Sequence, residues 1–367
     1  MTIPTVALVF GGGSIGHDMS IKYAQSVYDA VDKKRYSPIL VGVARDGKWW
    51  LQENTKEFPL HVDFSGAQLI FFPGGGGKAL VHRRNGDHRT CHVNVVFQIS
   101  PYGGSEGLLE TAQVPFVGSR GPASAICSDK QIIKRILRDA GLPIARSLVL
   151  LAPEEVKFQF AQEALCSESL FVKPASLHSS IGVSKVTCES EFQTAVDLAF
   201  SYDSKVIVEE YVHARELECA VLQEAERPSD LICSSPSEII PIGEHAFFTS
   251  QAKVDGRGIV VKPKAELDES EADRVRALSR EAFRVIGCEA LARVDFLMRL
   301  NGELLINEVG TAPILSSSSM FSKMMEESGI PYKELIQRLL EDAIKRSERA
   351  RAVRSRAGGL RARADRP

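Results

Sequence analysis

No stretch of the 367-residue chain reaches the eighteen or so consecutive apolar residues that a membrane-spanning helix needs, so an embedded function is not expected. Cysteine is sparse: Cys91, Cys127, Cys166, Cys188, Cys219, Cys233 and Cys288 are odd in number, scattered, and never spaced as a metal knuckle. That excludes a disulfide scaffold and a zinc module, and points to reduced thiols in a cytosol. Neither sign of charge is in excess, since 45 Lys and Arg meet 47 Asp and Glu for a formal net charge of -2. A nucleic acid or an acidic membrane surface is therefore not expected as partner. The chain opens Met1-Thr2-Ile3-Pro4 and enters Val6-Ala7-Leu8-Val9-Phe10 without a basic segment or cleavage site, which gives no export signal and a cytoplasmic expectation. What remains is an ordinary globular composition, 44% hydrophobic and 25% charged, with length for two or three packed domains.

Val6 to Phe10 reads as a strand ending in Gly11-Gly12-Gly13-Ser14, after which Met19, Tyr23, Val27 and Ala30 recur at helical spacing. Pro38 to Val43, Val93 to Phe97 and Val114 to Val117 read as further strands of a parallel sheet. Gln52 to His92 has little periodicity, and its Pro73 to Gly77 run reads as a turn between short strands or as a ligand-facing loop. A helix fits Lys130 to Ala140, closed by Gly141 and Pro143. Leu170 to Pro174 and Lys205 to Glu210 read as strands flanking a Ser/Gly loop and a helix near Glu191 to Phe200. An amphipathic helix fits Tyr332 to Arg346, followed by an Arg- and Ala-rich segment to Pro367 that reads as a frayed end and disordered tail.

Three constellations point to chemistry. Ala292-Arg293-Val294-Asp295-Phe296 and Leu305-Ile306-Asn307-Glu308-Val309-Gly310 flank the turn signal Asn301-Gly302, which predicts a hairpin with an arginine and two carboxylates on adjacent strands. Two acids and a cation together suit a divalent metal on nucleotide phosphates, with the arginine left for developing negative charge. Lys173, at the end of a strand and before Ser179, Ser180 and Gly182, fits phosphate binding by charge, hydroxyls and backbone N–H groups. Lys130 and Lys253 are further candidate cations. The glycines at Gly11 to Gly16 only partly match a dinucleotide fingerprint, and no acid follows at the usual distance.

With those residues in view, the chain resembles the D-alanine:D-alanine ligase family of the ATP-grasp superfamily, as a divergent member. The matching stretches run from Val9-Phe10-Gly11-Gly12 with His17-Asp18-Met19-Ser20, through Val117-Gly118-Ser119, Ser124-Ala125 and Asp129-Lys130, to Lys173-Pro174 and Ser179 to Lys185. They continue through Arg215 to Leu222, Ser237-Glu238-Ile239, Ala292 to Phe296 and Asn307-Glu308, and end at Ser319-Met320. The resemblance implies an α/β chain with an N-terminal parallel-sheet pre-ATP-grasp domain (1–124) and a two-subdomain α+β ATP-grasp fold (125–215 and 216–346), then a basic tail (347–367). It implies ATP held by Lys130, Lys173 and Lys253, by the loop with Ser179, Ser180 and Gly182, by the hinge Glu209, Glu210, Tyr211 and Val212, and by Glu216 at the ribose. Asp295 and Glu308 match ligands of one or two Mg2+ ions, with Mn2+ as the other candidate, and Asn307 stands beside them. Arg293, Ser179 and Lys253 are the implied catalytic set, and Gly12, Asp18 and Ser319 the substrate-facing candidates. The partners implied are ATP, small amino-acid-like substrates and a second copy in a homodimer.

The departures cluster where the family grips its amino acids. Gly16 stands where the family has an ammonium-binding glutamate, and Val254 where it has that residue's tyrosine partner, so only Ser179 of the network remains. Phe248-Thr249-Ser250 replaces an aromatic motif before the lid lysine, and Ile99 to Gly107 replaces a histidine-containing segment with a shorter one. His178 replaces a loop glycine, Gly310 the asparagine among the metal ligands, and Ile314 the glycine that shapes the oxyanion site. Losing a counter-ion for an ammonium is costly in a closed site, so an acyl-phosphate-forming carboxylate–amine ligase with a changed substrate is the expectation. The rivals are the authentic cell-wall enzyme, a ligase or cyclo-ligase of specialised metabolism, and a nucleotide-binding protein without turnover. The Ser316 to Ser319 run is open to two readings, substrate contact or plain loop, and His17, His178 and His245 are open to a functional or a merely surface reading, of which the surface one is the expectation.

Overall fold

The computed structural model describes residues 3–13, 16–53, 58–99, 104–177, 181–241 and 259–364. Its strands form three sheets, drawn from residues 5–98, 147–210 and 214–310 in turn.

In the first lobe, β1 (Thr5–Gly11) leads through the glycine turn to α1 (His17–Ala30) and β2 (Ser37–Val43). β3 (Trp49–Leu51), β4 (Ala67–Phe71), β5 (Lys78–His82), β6 (His88–His92) and β7 (Val95–Gln98) complete the sheet, and α2 (Glu106–Ala112) follows. The strand order is β6-β5-β4-β3-β2-β1-β7. Only β1 with β2 and β1 with β7 run parallel; every other pairing is antiparallel. The strands expected to run parallel, β1, β2 and β7, do so, while the short strands between residues 49 and 92 join them antiparallel, and the reason lies in the connections. A parallel crossover needs a dozen or more residues, whereas β2 reaches β3 through a tight turn in which Gly47 takes φ +85° and Ala44 N–H donates to the Lys48 carbonyl at 2.8 Å. The strand expected at Val114 to Val117 reduces to one bridge, Val96 to Phe116. The Pro73 to Gly77 run is a turn seated on α2, with Gly74 and Gly76 N–H groups donating to Thr111 and Ala112 carbonyls at 2.8 and 2.9 Å.

The second unit opens with α3 (Gly121–Ser128) and α4 (Lys130–Asp139). Asp129 caps α4, its carboxylate accepting from Gln131 and Ile132 N–H groups at 2.9 and 3.0 Å. β8 (Ser147–Leu150), α5 (Phe158–Leu165), β9 (Leu170–Pro174), β10 (Ser184–Val186), α6 (Glu189–Phe200) and β11 (Val206–Glu210) follow. The four strands pair antiparallel in the order β10-β9-β11-β8. Alternation sorts their faces: Leu170, Val172, Val206 and Val208 pack on α5 and α6, which turns Lys173 and Glu209 to the other side.

The third sheet holds β12 (Ala214–Gln223), β13 (Leu231–Cys233), β14 (Ser237–Pro241), β15 (Ile259–Lys262), β16 (Leu291–Arg299) and β17 (Leu304–Gly310), with α7 (Glu269–Ile286) between β15 and β16. Leu217, Cys219, Val221, Ala292, Val294, Phe296 and Ile306 of its inner face pack with α3, α4 and α7. α8 (Met320–Glu327) and α9 (Tyr332–Ala364) then return to the first lobe, where Phe321, Met324, Leu335 and Leu339 share a core with Val6, Leu8, Phe10 and Phe97.

The basic segment after Arg346 continues α9 to Ala364. Alanine and arginine are strong helix formers, and the helix is tied down. Arg346 meets Asp342 at 2.7 Å, Glu289 at 2.5 Å, and the Phe116 and Gly118 carbonyls at 3.0 Å. Asp342 is buried, so removing its cation leaves an uncompensated charge. Arg346→Ala is expected to lower stability by on the order of 3 kcal/mol in urea unfolding; a loss within error of zero would show that the clamp carries nothing.

Candidate active site

Cross-strand register brings the candidate acids together. Asp295 of β16 lies opposite Glu218 of β12 on one side and Glu308 of β17 on the other. The neighbouring row is Ala220, Arg293, Gly310, so two small residues flank the arginine and leave it room. Between Asp295 and Phe296 the pairing slips: Phe296 faces Ile306, Asp295 faces Glu308, and Asn307 has no opposite residue. A bulge of this kind re-aims side chains; it keeps Ile306 in the core while presenting Glu308 to the open face.

Arg293 holds this row. Its Nε and Nη2 donate to the two Asp295 carboxylate oxygens at 2.7 and 2.6 Å, and Nε lies 3.3 Å from Glu218 Oε1. Burial works against the charged guanidinium, but Asp295, Glu218 and Glu308 outweigh it and raise the Arg293 pKa above its usual value. Glu218 is the residue that sequence reasoning missed. The signal was present, because Glu216 and Glu218 alternate with core residues Leu217 and Cys219 and so share a face.

The phosphate candidates converge from α4 and β9. Lys173 Nζ lies 2.5 Å from Glu209 Oε2 and 5.2 Å above the Phe171 ring. Glu209 also binds Lys134, at 2.9 Å, and Lys134 is almost wholly buried. Burial pushes the Glu209 carboxyl up, but the two ammonium groups prevail and hold it at about 2. Glu209 therefore fixes Lys173 with its side chain. Lys130, at the first position of α4, points Nζ at the Pro174 carbonyl, 3.3 Å away, and at the Leu177 carbonyl, beside the entry to the Ser/Gly loop. Gly182 closes that loop at φ +69°, where a Cβ would come within 2.8 Å of Pro174.

At the hinge, Glu210 is buried between Arg146 and Arg299, each at 2.9 Å. Tyr211 stacks near Phe171 at 5.5 Å and under Lys185 at 3.8 Å, while Val212 packs with Ala145 and Leu305. Glu216 sits half-buried on the same face as Asp295. Lys134 and Lys185 are cations that sequence reasoning did not single out; Lys134 falls on the buried stripe of α4 with Ile133 and Leu137, a pattern that hides a charge.

The substrate candidates are placed less uniformly. Ser319 caps α8: its hydroxyl accepts from Ser322 N–H and donates to the Ser316 carbonyl at 3.0 Å. Gly12 takes φ +103° and its carbonyl meets His17 Nδ1 at 2.8 Å, which gives the buried His17 a structural role. Asp18 is exposed in the first turn of α1. Ser179, Ser180, Lys253, Val254, His178 and His245 lie outside the described residues.

Between the first lobe and the turn after β17 lies a small cleft. Tyr23, Ile99, Glu106, Val117, Thr311 and Ile314 are among its lining. Ile314, in the place of a family glycine, thus narrows this cleft.

The arrangement matches known proteins over nearly its whole length. The description D-ala D-ala ligase N-terminus fits residues 5–119, and D-ala D-ala ligase C-terminus fits residues 136–341. The chain is 41% identical to D-alanine–D-alanine ligase A of Mesorhizobium japonicum, across 93% of this chain and 97% of that one. The D-alanine-D-alanine ligase of Coxiella burnetii superposes with a TM-score of 0.83 at 29% identity, covering 98% of this chain and 99% of that one. The VanG D-Ala:D-Ser ligase of Enterococcus faecalis superposes at 0.82 with 26% identity, covering 93% and 100%.

Glu209→Gln is expected to destabilise the protein by about 3–5 kcal/mol, because two buried ammonium groups lose their counter-ion. Since its folded pKa is depressed to about 2 from an ordinary 4.5, the stability Glu209 supplies is full above pH 4.5 and is lost as pH falls toward 2. Urea midpoints measured across that range should fall for the parent chain and flatten in the variant; parallel curves would remove Glu209 from the account.

Proposed function

Because the chain belongs to the D-alanine:D-alanine ligase family, ATP-dependent enzymes that form a peptide bond and release ADP and phosphate, we propose that it performs this reaction on an amino-acid substrate gripped differently from the family's. The observation that carries the chemistry is the Glu218, Asp295, Glu308 row with Arg293 bridging it. The donor set suits Mg2+: hard carboxylate oxygens lie side by side, yet among the described residues no three protein ligands close around one point. Such a site is completed by phosphate oxygens and water, which is how Mg2+ is usually held. When bound, the ion neutralises phosphate charge; Asp295 and Glu308 would hold it, in one or two copies, with Mn2+ as a substitute.

The protein's own residues do the rest. Lys130 and Lys173, and Lys253 by family resemblance, bind phosphate oxygens, with Lys173 preset by Glu209. Glu210, Tyr211, Val212 and Glu216 border the nucleoside, while Ser179, Ser180, Gly182 and Asn307 line its phosphates. A substrate carboxylate oxygen attacks the γ-phosphorus and ADP departs; an amine nitrogen then attacks the acyl carbon, loses its proton, and phosphate leaves. Arg293, given room by Ala220 and Gly310, meets the charge on the tetrahedral carbon's oxygen. Gly12, Asp18 and Ser319 are secondary substrate candidates, and a homodimer is part of the same proposal.

A second reading, with D-alanine itself as substrate, is favoured by 41% identity to a ligase of that name. ADP release with ATP and magnesium, screened over D-alanine and other D- and L-amino acids, separates the two. Turnover with D-alanine supports the second reading, and turnover only with another amino acid supports the first. Asp295→Asn is expected to lower kcat at least 100-fold, and undiminished turnover would sink the metal assignment. A Cβ at Gly310 meets nothing closer than the Arg293 carbonyl at 4.0 Å, so Gly310→Asn should fold normally and lower the magnesium concentration for half-maximal rate. An unchanged magnesium dependence would show that this position has no part in the metal site.

A further inference from the structure

Glu106 is a buried charged residue that the chemistry above leaves unused. It is only 9% exposed, sits in the first turn of α2, and lines the cleft between the first lobe and residues 311–315. Its Oε2 accepts from Gly104 N–H at 2.7 Å and its Oε1 from Ser124 Oγ at 3.2 Å. Both donors are neutral, and among the described residues no lysine, arginine or histidine pairs with it. A carboxylate has room for about four hydrogen bonds, so it retains acceptor capacity. Phe97, Ile99, Val117, Leu291, Pro313 and Ile314 make most of the surrounding wall apolar, which strengthens its attraction for a cation. Ser124 Oγ also lies 3.4 Å from Thr311 Oγ1, one residue beyond Gly310 and its partner Arg293. The acid thus stands on the wall that continues the catalytic strand.

We propose that Glu106 anchors the ammonium group of a small amino-acid substrate in this cleft. A metal ion fits poorly, since one carboxylate in apolar surroundings supplies few of the six or more oxygens a hard cation takes. A primary ammonium needs only a few acceptors, and Glu106 with the Thr311 hydroxyl offers them. The inference rests on the ligase reading above and names the grip for the substrate of that site. It also explains how the chain handles an amino acid with Gly16 in place of a carboxylate.

The test is calorimetric binding of D-alanine, D-serine and their 2-hydroxy-acid counterparts to the full chain with ADP and magnesium. The parent should bind at least one amino acid ten-fold or more tightly than its hydroxy acid, which offers the same carboxylate without the ammonium. Glu106→Gln should bring that ratio within two-fold while leaving ADP affinity unchanged. A preserved ratio in the variant, or none in the parent, overturns the proposal. Should Glu106→Gln fail to fold by circular dichroism, Glu106→Asp decides: a preference surviving with the charge supports the anchor, and one that vanishes overturns it. ADP release is measured alongside: turnover with a Glu106-independent ratio sinks only the anchor, and Glu106-dependent binding without turnover sinks only the ligase.

Discussion

Period-two alternation on the third sheet is the constraint on which the rest depends. Leu217, Cys219, Val294, Phe296 and Ile306 must face α7, so Glu218, Asp295 and Arg293 must face the opposite way. Neighbouring strands put directly opposed residues about 5 Å apart, and three carboxylates so aligned repel one another. The bidentate contact from Arg293 to Asp295 offsets that repulsion, and the core on the far side keeps the row from splaying. The site is a charge arrangement imposed by the packing behind it.

The second sheet answers with the opposite sign. Its apolar face covers α5 and α6 and leaves Lys173 on the other, where buried Glu209 shares its charge between Lys173 and Lys134. The two sheets are pinned at the hinge, where Ile306 N–H donates to the Pro143 carbonyl at 2.7 Å and Arg299 of one meets Glu210 of the other. The cationic face of one sheet and the acidic row of the other are thus held by a junction of few residues, Pro143 to Arg146 and Glu209 to Val212.

What was legible in the sequence follows the same logic. The hairpin around Asn301-Gly302 and the helix from Lys130, closed by Gly141 and Pro143, carry strong local signals, and both are found where expected. The strands of the acidic row were legible through Asp295 and Glu308, but Glu218 passed unremarked because one more glutamate in a strand looks like a solvated face. Lys134 was invisible because it sits on a helix and its counter-ion lies on a strand 75 residues later in the chain. The first lobe's outer strands were legible only as short strands about a turn, because their antiparallel direction is set by short connections that forbid parallel crossovers. Glu106 belongs to the same class as Lys134: its surroundings come from residues 97–124 and 291–315, which no local pattern connects.

The joint core of the first lobe and the last helices bears on the birth of the protein. Phe10, Phe97 and Ile99 share their cluster with Phe321, Met324, Leu335 and Leu339, so part of that sheet's covering lies about 220 residues downstream. At about 5–20 residues per second of synthesis, the sheet waits roughly 10–45 s on the ribosome with one patch of its face bare. Completion of that core is thus gated by the arrival of the last helices.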